Sequence, residues 1–197
     1  MLTTEQILDA AEDVLRRFGP RKTTVVDVAR ALGVSHGTVY RHFDTKAALH
    51  EAITTRWFER VTSPLATIAR IPSRPCHRLR AWFETLMAIK QHKAHEDPEL
   101  FASYLLLANK SSKKIVFEHV EIMIKQVERI LADGCDDGSF EINNCAATAR
   151  SLFFATFRFH HPLHANEWSD EHLKEDFDHL FTMLEHAIQK RSEYSVG

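Results

Sequence analysis

Glycine and proline are scarce in this chain, with six of each among 197 residues. That is too few for a sandwich or barrel built on many tight turns. No stretch of useful length alternates apolar and polar side chains as a half-buried strand does. Cysteine is scarcer still. Cys76, Cys135 and Cys145 are odd in number and form no CxxC pair, which suits free thiols in a reducing cytosol. There is no 18-residue apolar run and no basic segment leading into a short apolar one. Neither a membrane span nor a signal peptide is expected, and a cytoplasmic location is. HExxH, GxSxG and a Gly-rich phosphate loop are also missing, so an enzyme is not expected.

What remains is a globular composition, 44% hydrophobic and 26% charged, in a chain long enough to bury a core without metals or disulfides. A net charge of −2 argues against a general nucleic-acid binder. Its distribution says more. Residues 16–46 carry seven bases (Arg16, Arg17, Arg21, Lys22, Arg30, Arg41, Lys46) against Asp27 and Asp44, whereas residues 167–185 carry seven acids against Lys174. A basic head on an acidic body suits one surface facing a polyanion.

The apolar spacing is helical throughout. Ile7, Leu8, Ala11, Val14, Leu15 and Phe18 form one stripe over residues 4–18, ended by Gly19-Pro20. Thr24 opens a second helix, with Asp27 three residues on, and Gly33 closes it. Ser35 caps a third, very short helix ending near His42. Longer helices follow: about 45–71 with Pro64 bending or breaking it, 76–93, 98–109 opened by Asp97-Pro98, one from Ser111/Ser112 to Asp133-Gly134, 143–160 and 170–190. The expected fold is all-α with about nine helices. A three-helix domain over residues 1–46 precedes a larger helical domain over residues 47–197.

DVARALGVSHGTVYRHF is a helix-turn-helix candidate. Val34, Val39 and Phe43 anchor the third helix, and His36, Gly37, Thr38, Tyr40 and Arg41 face out. The second helix of such a pair enters the major groove. Gly37 lets backbone approach DNA, Thr38 offers a hydroxyl and a methyl, and Tyr40 puts a hydroxyl at phosphate distance. His36 and Arg41 are the leading base readers. Thr24 and Lys46 sit at helix N-termini where a phosphate would be held or compensated. Ser35 reads as a cap first, and His42 as packing or phosphate contact.

TTVVDVARALGVSHGTVYRHFDTKAAL resembles the N-terminal DNA-binding domain of the TetR/AcrR family of bacterial regulators. The resembling part is residues 5–53, carried by Thr23-Thr24, Ala29, Gly33-Val34-Ser35, Gly37-Thr38, Tyr40, Phe43 and Lys46. The resemblance implies that His36, Gly37, Thr38, Tyr40, Arg41 and His42 lie on the DNA side, and that Thr24 and Lys46 hold phosphates. With only Met1-Leu2-Thr3 before the first helix, no minor-groove contact from a basic arm is expected. A homodimeric repressor, released from double-stranded operator DNA by a small-molecule effector, is implied.

The body is consistent with this without repeating a signature. Apolar and aromatic residues on its middle helices are pocket candidates: Trp57, Trp82, Phe83, Leu86, Met87, Phe101, Tyr104, Leu105, Phe117 and Met123. Lys90, His92, Tyr104 and Arg158 are the polar groups that could orient a ligand. The last two helices are apolar on wide faces, and Phe153, Phe157, Phe177, Leu180, Phe181, Leu184 and Ile188 are dimer-interface candidates. No cofactor is expected. Ten of the thirteen histidines lie beyond residue 76. His92, His95 and Glu96 on one helix face, with His160, His161 and His164 in FHHPLH, keep a bound metal and a metal-responsive regulator open as alternatives.

Overall fold

A computed structural model describes residues 2–111 and 113–190. Among them the chain forms ten α-helices, one 3-10 helix and no strand. In order these are α1 (Thr4–Phe18), α2 (Val25–Leu32), α3 (His36–Tyr40), α4 (Lys46–Ile68), α5 (Pro75–Glu96), α6 (Pro98–Lys110), α7 (Lys113–Asp136), α8 (Cys145–Ala155), α9 (Phe157–His160), the 3-10 helix Pro162–Glu167 and α10 (Leu173–Ile188). None is long and apolar enough to cross a membrane. Of the expected seventh-helix start, Ser112 lies outside the described residues.

The starts are chemical. Thr3 and Gln6 form a reciprocal capping box on α1. The Asp97 carboxylate accepts from the Leu100 N–H at 3.3 Å, and Pro98 takes the first turn of α6. The Thr45 hydroxyl accepts from the Ala48 N–H at 3.0 Å to open α4. That helix runs on through Pro64, which is exposed, so water can satisfy the carbonyl its ring leaves unbonded.

One expected helix divides. Residues 143–160 break at Thr156, whose hydroxyl bonds back to the carbonyls of Leu152 and Phe153 at 3.0 and 3.1 Å. This local bond competes with the helical ladder and separates α8 from α9, which is why ten helices form rather than nine.

The chain divides into two compact units, Met1–Arg60 with His92–His119, and Val61–Gln91 with Val120–Gly197. In the first unit, α6 and α4 complete the core that α1, α2 and α3 begin. The expected boundary at residue 46 therefore falls inside it. The Ser103 hydroxyl reaches the Leu15 carbonyl at 3.5 Å, and Arg16 pairs with Asp97 at 3.0 Å. Trp57 stacks on Tyr104 at 4.8 Å, with Phe101 edge-on to it.

The second unit packs Leu79, Trp82, Phe83 and Leu86 of α5 with Val127, Ile130 and Leu131 of α7, Leu152 and Phe153 of α8, and Phe177 and Phe181 of α10. Phe181 meets Phe177 and Phe83 at centroid distances of 5.2 and 5.4 Å. Arg78 joins Asp133 at 2.7 Å, and Arg80 joins Glu185 at 2.5 Å and Asp178 at 3.2 Å.

The connection between α7 and α8 returns to the core through Phe140, which is buried. It also holds the end of α10. The Glu141 N–H donates to the Ile188 carbonyl at 2.9 Å, and the Lys190 N–H to the Ser139 carbonyl at 3.2 Å. Phe140 rests on Gly134, which lies within α7 rather than ending it; a Cβ there would fall 2.1 Å from the Phe140 ring. Gly134→Ala is therefore expected to lower stability by about 1–3 kcal/mol despite the better helix propensity of alanine. A urea titration measures this, and an unchanged or raised midpoint would contradict the packing.

His160 is buried against Thr156, 3.2 Å from its hydroxyl. Burial first, then the charge of Lys90, pushes its pKa down to about 3. The unfolded chain binds a proton near pH 6.5 that the folded chain refuses, so stability falls as pH drops from about 6.5 towards 3, by about 1.4 kcal/mol per pH unit. Denaturation across this window is expected to show that slope, and His160→Gln to flatten it. An equal slope in the variant would assign the acid lability to other groups.

Candidate DNA-binding surface

The turn between α2 and α3 is built from local bonds. The Thr24 hydroxyl accepts from the Asp27 N–H at 3.1 Å and donates to the Asp27 carboxylate at 2.6 Å, which fixes the start of α2. Gly33 ends it in the left-handed region, φ 66° and ψ 28°. The Val34 N–H then returns to the Ala29 carbonyl at 3.0 Å. Ser35 occupies the N-cap position of α3, but its hydroxyl bonds the Thr38 hydroxyl at 2.9 Å and makes no cap to the backbone. The side-chain cap expected there is absent.

Val39 and Phe43 are buried and Val34 is half-buried, so α3 is held by one side. His36, Gly37, Tyr40, Arg41 and His42 are exposed on the others, and Thr38 is half-buried. Tyr40 shows 43% of its surface. A Cβ on Gly37 would meet only the Ser35 hydroxyl, at 3.9 Å. His42 places Nδ1 3.1 Å from the Thr4 hydroxyl at the start of α1.

Lys46 is the first residue of α4, and its Nζ donates to the Arg21 carbonyl at 2.7 Å. The loop before α2 is thereby tied to α4, and the ammonium stays at the exposed edge. His50 reinforces this tie, donating from Nε2 to the Thr23 carbonyl at 2.7 Å. Burial lowers the His50 pKa against the raising effect of the Thr23 bond, and Lys46 and Lys110 add repulsion. The neutral ring is the form that fits.

Arg56 supplies the larger support. Its guanidinium meets Glu5 at 3.2 Å, Asp9 at 2.8 Å and Glu12 at 2.7 Å. Sequence reasoning missed both His50 and Arg56. The spacing of Glu5, Asp9 and Glu12 on one helix face was the available signal.

The other expected groups are redistributed. Of the pocket candidates, Trp57, Phe101 and Tyr104 belong to the first unit and are buried there. Trp82, Phe83, Leu86, Met87 and Met123 are buried in the second. Leu105 is half-buried in the first. Phe117 is 61% exposed and lines no interior. Of the orienting groups, Lys90 is buried, His92 is exposed, and Arg158 is engaged by Glu167 and Asp176 at 2.9 and 2.5 Å.

The dimer candidates differ in burial. Phe153, Phe177, Phe181 and Ile188 fill their own core, with Phe157, Leu180 and Leu184 half-buried against it. Within the single chain the stripe that sequence periodicity reveals is thus part core and part half-buried edge. The large apolar side chains left exposed on α8 and α10 are Phe154 and Met183.

The histidines do not converge. His92 pairs with Glu96 at 3.0 Å and His164 with Glu167 at 2.6 Å, His95 is exposed, His160 is buried, and His161 stacks on Phe157 at 4.5 Å. Among the described residues, no group of three or more His, Cys, Asp or Glu side chains is placed to hold a metal ion.

Residues 7–53 match the family described as bacterial regulatory proteins, tetR family, and residues 75–181 match the tetracyclin repressor-like C-terminal domain. The HTH-type transcriptional regulator TtgR of Pseudomonas putida is 41% identical over 51 residues, 26% of this chain and 24% of TtgR. The match thus spans about a quarter of that relative's length. Nucleoid occlusion factor SlmA of Vibrio cholerae is 26% identical over 136 residues, 66% of this chain and 69% of SlmA.

Among solved structures, SmeT, the repressor of the Stenotrophomonas maltophilia multidrug efflux pump SmeDEF, is 25% identical with a TM-score of 0.71, covering 100% of this chain and 95% of SmeT. A SmeT–triclosan complex shares the fold at 23% identity and a TM-score of 0.66, covering 95% and 92%. Both the N-terminal helices and most of the body are therefore accounted for by one family of transcriptional regulators, and the chain belongs to the TetR family.

Proposed function

We propose that the protein is a cytoplasmic, homodimeric repressor that binds operator DNA through α3 and releases it when a small molecule binds the body. The observation that carries this reading is the α3 surface. His36, Gly37, Tyr40 and Arg41 lie exposed around a buried Val39, in a segment with seven bases against two acids. In this reading residues 1–46 carry the DNA contacts and residues 47–197 the response. His36 and Arg41 read bases, and Thr24, Ser35, Thr38, Tyr40, His42 and Lys46 serve the phosphates and the close approach. No resident cofactor is required.

Dimerisation follows from what one short helix can read. Two copies of α3 about 34–36 Å apart would meet successive major-groove faces of a palindrome. The exposed faces of α8 and α10 support this pairing. Phe154 and Met183 stand there among small side chains, Ala147, Ser151 and Ala155 on α8 and Ala187 on α10. Close helix packing favours such a mixture.

The response rests on the triclosan complex of SmeT and on the aromatic interior of the second unit. Lys90 is a buried cation there, with its pKa lowered to about 8 by burial. A flat apolar effector with an acidic or acceptor group fits these residues. α4, which has residues in both units, would carry the change. The link is a coupling free energy between two sites.

Operator DNA selected from a random pool, followed by fluorescence anisotropy, tests the DNA reading. Tyr40→Ala and Lys46→Ala are expected to weaken binding about tenfold each with the helical signal unchanged, and Lys46→Ala to reduce the salt slope by about one. Parental affinity in both variants would refute the DNA assignment. In the same assay triclosan, as a probe, is expected to lower operator affinity about tenfold. No change with triclosan or a panel of flat phenols would remove the effector reading while leaving the DNA reading intact.

Sedimentation tests the pairing. Met183→Glu is expected to shift a dimer towards monomer and to weaken operator binding through loss of the second half-site. A monomeric parent, or a variant as dimeric as its parent, would move the interface elsewhere.

A further inference from the structure

We propose that Cys135 and Cys145 form a reversible thiol pair, closed to an intramolecular disulfide by a hydroperoxide and reopened by a thiol reductant. Their sulfurs lie 3.6 Å apart, in van der Waals contact, and both residues are half-buried. Cys135 stands in the last turn of α7 and Cys145 in the first residue of α8. Bond formation needs an approach of about 1.5 Å, within the reach of a side-chain rotation at each end.

The residues between them form the connection that already carries Phe140 into the core and holds Ile188 and Lys190 at the end of α10. A cross-link would close that connection at its base. It would stiffen the α7–α8 hairpin without asking any buried group to move through the core.

The chemistry balances in two steps. The Cys135 sulfur attacks the hydroperoxide; the O–O bond breaks, leaving a sulfenic acid and an alcohol, or water when the oxidant is hydrogen peroxide. The Cys145 sulfur then attacks the sulfenic sulfur. The S–S bond forms, the S–O bond breaks, and the Cys145 proton leaves with the departing oxygen as water. Two thiols are oxidised by two electrons, and the peroxide is reduced by the same two.

Burial first, then Cys135, Glu128 and Asp136, pushes the Cys145 pKa up to about 11. Its attack on the sulfenic sulfur needs the thiolate, so closure of the pair is expected to quicken as pH rises.

The test uses hydrogen peroxide on the full chain, with Cys76 as the internal comparison. After oxidation and alkylation under denaturing conditions, alkylated cysteines are expected to fall from three to one, with an intact-mass loss of about 2 Da that dithiothreitol restores. Trypsin leaves both cysteines in one peptide. A protease cutting after acidic residues separates them at Asp136, Asp137 and Glu141, so the linked fragments identify the bond.

Cys135→Ser and Cys145→Ser are each expected to abolish the 2 Da loss, whereas Cys76→Ser is expected to retain it. Three outcomes would each overturn the proposal: a bond to Cys76, a disulfide between chains, or independent oxidation of Cys135 and Cys145 to sulfinic acid.

Discussion

The first unit is organised by a buried guanidinium. Arg56 of α4 is almost enclosed, and its partners Glu5, Asp9 and Glu12 lie along one face of α1. A buried charge without partners costs several kcal/mol, so α1 has few ways to sit on α4 that leave Arg56 satisfied. Arg60 adds a second contact to Glu12 at 3.0 Å. The apolar side of α1 is then fixed; α2 packs against it and α3 against α2, with Val28, Ala29 and Val39 all fully buried. The direction in which α3 presents its exposed side follows from that seat. The hydrophobic contacts supply much of the stability, and the planar, multiply bonded guanidinium supplies the orientation.

The loops follow the same logic on a smaller scale. The segment before α2 is held by two donors from α4, Lys46 to the Arg21 carbonyl and His50 to the Thr23 carbonyl. Helix α4 thus holds α1 and the motif's entry loop together. A side chain credited with touching a phosphate can already have a structural bond, as Lys46 does, and Thr24 likewise caps α2 through Asp27. For Lys46 the two roles are compatible because its exposed ammonium has further N–H donors, whereas the Thr24 O–H is already given to Asp27.

The motif was legible because its signals are local. A threonine followed by an aspartate, a glycine at a left-handed position and an apolar residue every third or fourth place each act over a single turn. Where a competing bond was equally local it still escaped notice. Ser35 turned to Thr38, and Thr156 broke a helix that periodicity ran straight through. The body was less legible for a different reason. An apolar stripe such as Phe177, Phe181 and Ile188 says that a face is covered, not by what. The chain's own α5 covers part of it, as the Phe83–Phe181 contact records. The division of Trp57 and Tyr104 from Trp82 and Phe83 between two units depends on contacts distant in sequence, which no window of residues contains.

Gly37 is a vacancy the protein does not use. Its backbone is ordinary helix, no neighbour crowds the missing Cβ, and an alanine would fit and favour the helix by about 1 kcal/mol. Gly134 and Gly33 answer to a ring and to a backbone angle inside the fold, whereas Gly37 answers to neither. The interior of the molecule therefore states no reason for it. At this one position the folded chain is left less stable than its own contacts allow, and the gap has the dimensions of a methyl group facing outward. In the proposed reading the shape that gap complements is that of the operator, and part of the information specifying this helix would then be written in the geometry of its partner.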